Sequence, residues 1–96
     1  MDTDQLLEFG VQGIHLLFDR ETIAEAFGQD ADRLREAISG RSEEVHFAIQ
    51  ALLSLPSVEE GRRFMTELSP TIRSVVVLLY FELLDGRLRH AEPLLH

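Results

Sequence analysis

Apolar residues recur along this chain at helical rather than strand spacing, and the segments they mark are bounded by capping residues, glycines and prolines. No segment shows the strict alternation of a half-buried strand. The pattern therefore predicts an all-α fold, a compact bundle of about five to six short helices. The first helix is predicted to start at Asp2 or Thr3 and to run to about Phe18, with Gln5, Glu8, Gln12, His15 and Asp19 on one polar arc. The opposite arc holds Leu6, Leu7, Phe9, Val11, Ile14, Leu16, Leu17 and Phe18, with Gly10 and Gly13 near its middle. A glycine inside a helix costs about 1 kcal/mol relative to alanine, so two on the apolar face suggest that another backbone approaches closely there.

Short one-sided helices follow. One spans about Arg20 to Phe27 and ends at Gly28; the next is capped by Asp30, runs from Ala31 to Ser39 and stops at Gly40. Ser42 is expected to cap a broadly apolar helix from Glu43 to Leu55, ended by Pro56. Ser57-Val58-Glu59-Glu60 reads as a capping box opening a helix over 58–68 with a narrow stripe of Val58, Gly61, Phe64, Met65 and Leu68.

Ser69 then caps and Pro70 opens the most apolar element, a C-terminal helix over 70–85. Between Ile72 and Leu84 its apolar positions cover roughly two thirds of the circumference, leaving a strip of Ser74, Glu82 and Asp85. The run Val75-Val76-Val77 would also suit a strand, but the chain offers no second strand to pair with it. The tail 87–96, with Pro93, is the part the pattern determines least.

Three helices, over 3–18, 43–55 and 70–85, are thus apolar around most of their circumference, whereas the others are one-sided. A single layer of short helices cannot enclose three such cylinders. The expectation is an obligate homodimer or a domain that binds a partner helix. The faces around Leu6, Gly10, Gly13 and Leu17 and around Val77, Tyr80, Phe81 and Leu84 compete for that interface. The alternative is that the three wide helices pack on one another in a single core.

Composition narrows the chemistry. Residues 1–96 suffice for one domain, and 45% hydrophobic content supports a core without disulfide or metal. The absence of cysteine removes disulfides, thiolate metal sites and cysteine nucleophiles. The acidic N-terminus lacks the basic region and apolar run of a secretory signal, and the run from Val75 to Phe81 is far shorter than the roughly 18 residues of a membrane span. A soluble cytoplasmic protein is expected. The net charge is −8, and residues 1–48 hold eleven acids against four arginines. Such a half repels phosphate and attracts basic surfaces, which disfavours nucleic acid.

One local pattern points the other way. The segment from Thr22 through Ala24, Phe27, Gly28, Leu34 and Ile38 resembles the helix-turn-helix of bacterial repressors, with alanine and glycine four apart. The resemblance implies a recognition helix from Ala31 to Ser39, with Arg33 and Arg35 as DNA contacts. Gln29 departs from the motif, and Asp30, Asp32 and Glu36 place anions on the surface meant for the groove.

Glu43-x-x-His46 has the i, i+3 spacing of di-iron carboxylate bundles, but both residues fall where a solvated first turn also places them. His15, His90 and His96 are scattered and expected in solvent. Glu82 is expected either exposed or paired with an arginine, Arg73 or one from another subunit. No catalytic triad, metal-ligand set or glycine-rich loop stands out, so neither an enzyme nor a cofactor is expected. The sequence thus favours a small acidic protein-interaction domain, a regulator or adaptor that homodimerises or binds a basic partner surface. A DNA-binding regulator is the alternative.

Overall fold

A computed structural model describes residues 2–91. They form six α-helices: α1 (Thr3–Val11), α2 (Arg20–Phe27), α3 (Ala31–Gly40), α4 (Ser42–Leu53), α5 (Val58–Glu67) and α6 (Pro70–Ala91). The fold is all-α, with no strand among the described residues. α6 is the central shaft, against which α1, α2, α3 and α4 all pack, while α4 also contacts α3 and α5.

That arrangement accounts for the breadth of α6's apolar surface. Val77 is completely enclosed, Ile72 and Val75 are 1% exposed, and even Ser74, placed by its phase on the polar strip, is buried at 2%. Burying one such aliphatic side chain contributes about 1.5–3 kcal/mol, so Ile72, Val75, Val76 and Val77 make the N-terminal half of α6 a substantial part of the core. The helix continues past Asp85 and Gly86 to Ala91, longer than the 70–85 span expected. Of the tail, residues 87–91 belong to α6, and 92–96 lie outside the described residues.

α1 departs from expectation in the opposite direction. It ends at Val11, because Gly13 adopts φ 85° and closes a Schellman motif. Its amide donates to the Gly10 carbonyl and the Ile14 amide to the Phe9 carbonyl, both at 2.9 Å. Residues 14–19 then run irregularly across the bundle, tied down by a hydrogen bond from Arg62 Nε to the Leu16 carbonyl. Leu17 and Phe18 are buried in the core at 6% exposure each.

The caps follow local chemistry. Asp2, Asp19 and Asp30 accept backbone amides at the starts of α1, α2 and α3, with Asp19 Oδ1 2.7 Å from the Thr22 amide. The Ser57 and Ser69 hydroxyls do the same for α5 and α6. Ser42, expected as a cap, lies inside α4 instead, because Arg41 alone joins α3 to α4. The orphan carbonyls at the end of α5 are taken by Arg73, whose guanidinium donates to Met65, Thr66 and Leu68 at 2.8–3.0 Å.

Candidate functional site

The two faces expected to compete for a partner meet each other inside the chain. Leu6, Leu17 and Leu84 are 6% exposed, Val77 is enclosed and Gly10 is buried. α1 runs antiparallel along the outer part of α6, where Asp4 and Glu8 reach Arg87 at 3.5 and 4.0 Å. Gly10 sits directly against the Tyr80 hydroxyl, with a Leu84 methyl 3.0 Å from where a β-carbon would stand. The close approach inferred for Gly10 is therefore to side chains of α6. Gly13 is exposed with nothing near it, so its role is the turn. Residues Leu6, Gly10, Leu17, Val77 and Leu84 belong to the core, because four helices surround α6 and use its circumference. Of that set only Tyr80 and Phe81 remain half-buried at the surface.

Exposed apolar surface remains on both kinds of helix: Phe9 on α1 and Leu83 and Leu88 on α6, and Phe27 and Ile38 on the one-sided α2 and α3. Phe27 at the end of α2 is 60% exposed and Ile38 on α3 is 44% exposed. Together with Leu34, Leu78 and Phe81 they line an open groove of about 370 Å³ between α2, α3 and α6, whose single ionisable lining residue is Glu82. An aromatic row extends it: Phe27 meets Phe81 edge-on at 5.3 Å, and Phe81 meets His15 at 5.0 Å. His15 was expected in solvent on the polar arc of a longer α1. Because α1 stops at Val11, the chain instead folds the imidazole onto α6, with Nδ1 2.9 Å from the Tyr80 hydroxyl. Burial pushes the Tyr80 phenol above its ordinary pKa of 10.0.

A second apolar surface lies between α4, α5 and the start of α6. Phe47 is 72% exposed there and shares a groove of about 270 Å³ with Phe64, Leu68 and Ile72, walled by Glu44 and Glu67. Phe47 is one of many apolar positions on a broadly apolar helix, and no periodicity in the chain singles it out. Glu44 is held by Arg41 in a two-pronged pair at 2.6 and 2.8 Å, which lowers its carboxyl pKa.

The remaining candidates disperse. α2 and α3 have the order of a helix-turn-helix, but Ala24 is exposed, Gly28 has a right-handed φ of −86°, and Phe27 lies at the surface. Both helices pack on α6 rather than closely on each other. Arg33 and Arg35 are exposed, two residues apart and so on different sides of α3, and Arg35 lies 3.7 Å from Asp32. Glu82 does not meet Arg73, whose closest carboxylate is Glu25 at 3.9 Å. Glu43 and His46 are exposed. No group of three or more potential metal ligands exists among the described residues, and none of their helices is long and apolar enough to cross a membrane. No family model, curated protein or solved structure matches the chain.

Proposed function

We propose that this is a protein-interaction domain that self-associates through the α2–α3–α6 groove. The supporting observation is the exposure of Phe27 and Ile38 on either side of a groove with almost no charge. Isolated exposed apolar residues are ordinary on a protein surface, whereas a contiguous patch with an aromatic row is the usual core of an interface. A chain of net charge −8 repels its own copy over most of its surface. The groove carries one charged lining residue, Glu82, so that repulsion is small there.

A charge outside the lining complements the one within it. Arg35 lies one turn before Ile38 on α3, and Glu82 lines the α6 wall. A two-fold arrangement that sets α3 of one protomer along α6 of the other brings each Arg35 toward the other protomer's Glu82, while the apolar residues of both grooves interdigitate. The role of such a dimer is that of a regulator or adaptor.

Sedimentation equilibrium tests this reading. The wild type is expected at twice the 10.9 kDa chain mass, and Phe27→Glu at the monomer mass with an unchanged helical spectrum. A wild type that stays monomeric across the accessible concentrations overturns the proposal.

A further inference from the structure

The groove around Phe47 shares no lining residue with the self-association surface, and its chemistry is different. We infer that it is a docking site for a basic amphipathic helix of another protein, with Phe47 as the anchor and Glu44 and Glu67 as the charges that select the partner. This inference stands whether or not the chain self-associates.

Phe47 is the most exposed of the large hydrophobic residues in the described structure, and burying it is the largest single apolar gain that any partner can make. The floor beneath it is already formed by buried Ala48 and Ile72 and half-buried Phe64 and Leu68, so an incoming side chain meets a preformed surface. Glu44 on α4 and Glu67 on α5 stand on opposite walls, and no cation lines the groove. A partner that offers an apolar stripe flanked by Lys or Arg satisfies both features, as in the helix-in-groove mode of recognition. A second copy of this chain does not, because pairing this face with itself sets glutamates against glutamates.

The Arg41–Glu44 pair gives the site a feature that simple apolar adhesion lacks. In the free protein Arg41 already occupies Glu44. An incoming cation must compete with it, so Arg41 weakens binding even though it lies beside the groove rather than in it.

A synthetic amphipathic peptide of leucine and lysine in helical register is the probe, with a leucine–glutamate peptide of the same pattern beside it, both followed by calorimetric titration. Molar mass is measured on the same samples, so that docking and self-association are read separately. The lysine peptide is expected to bind and the glutamate peptide not. Glu67→Lys is expected to weaken binding by about tenfold, Phe47→Ser to abolish it, and Arg41→Ala to tighten it severalfold. Because Phe47 is so exposed, Phe47→Ser is expected to leave the helical spectrum intact. Equal binding of the two peptides, or lysine-peptide binding that Phe47→Ser and Glu67→Lys leave unchanged, overturns the assignment. So does an Arg41→Ala variant that binds no more tightly than the wild type.

Discussion

Replacing Gly10 by alanine sets two effects of opposite sign against each other, and the structure decides between them. Helix propensity favours alanine in α1 by about 1 kcal/mol. Against this, the new methyl falls on the Tyr80 hydroxyl and lies 3.0 and 3.3 Å from the two Leu84 methyls. Tyr80 cannot swing away freely, because its ring is held edge-on by Phe18 at 5.1 Å, by Phe81 at 5.1 Å and by His15, to which its hydroxyl is bonded. Overpacking of this kind costs about 1–3 kcal/mol, and losing the hydrogen bond to His15 adds about 1 kcal/mol. The net expectation is a destabilisation of about 1–3 kcal/mol, seen as a lower urea midpoint with an unchanged slope. At about 4–8 °C per kcal/mol for a domain of this size, the Tm falls by a readily measured amount. Tyr80→Phe supplies the control, since it removes the atom that the methyl meets. In that background Gly10→Ala is expected to be neutral or stabilising, a coupling of about 1 kcal/mol or more. A Gly10→Ala protein as stable as the wild type, or one with the same cost in both backgrounds, refutes the close contact between α1 and α6.

Other perturbations follow from the same geometry. Gly86 lies within α6 with open space where a β-carbon would go, so Gly86→Ala is expected to raise stability by about 0.5–1 kcal/mol in urea denaturation. Asp19→Ala removes the cap of α2 and is expected to cost about 1 kcal/mol, whereas Asp19→Asn retains most of it. The Asp19 carboxyl pKa is lowered chiefly by its hydrogen bonds from Thr22, with Arg62 adding to the effect. The stability it supplies is therefore present above the ordinary aspartate pKa and lost as the pH falls through the lower folded value, and acid unfolding of Asp19→Asn should lack that component. Tyr80 is the chain's single tyrosine, so its ultraviolet titration is unambiguous. The folded protein should ionise it above pH 10.0 and denatured protein at the ordinary value. Since folding favours the neutral phenol, stability is unaffected below that pH and declines as pH rises through the folded pKa.

Much of the bundle could be read from the chain because its signals are local. Asp30, Ser57, Ser69 and Pro70 act at helix starts as their chemistry requires, and α2, α3 and α5 fall close to their expected bounds. Gly13 was misplaced because a glycine on an apolar arc and a glycine closing a Schellman motif look alike in sequence. Only the positive φ separates them. That one residue then carried His15 from the expected solvent face onto Tyr80 and Phe81. The burial of Leu6, Leu17, Val77 and Leu84, expected at an interface, has a different reason. A helical projection measures how wide an apolar face is, not how many neighbours share it. α6 is wide and shared among four helices, which enclose Ile72, Val75 and Val77 but leave Leu83 and Leu88 exposed, and the narrow stripes of α2 and α3 leave Phe27 and Ile38 uncovered. Which stripe is left without a neighbour is a property of the assembled bundle, and no local signal in the chain carries it.

Isotope-filtered nuclear Overhauser spectroscopy on a mixture of labelled and unlabelled protein tests the self-association surface most directly. Contacts between protomers are expected at the Ile38 and Leu78 methyls and the Phe27 and Phe81 rings. They should be absent at Phe47. A mixed sample with no contact between protomers, or with contacts confined to Phe9, Leu83 and Leu88, contradicts the proposal that the α2–α3–α6 groove receives a second copy of the chain.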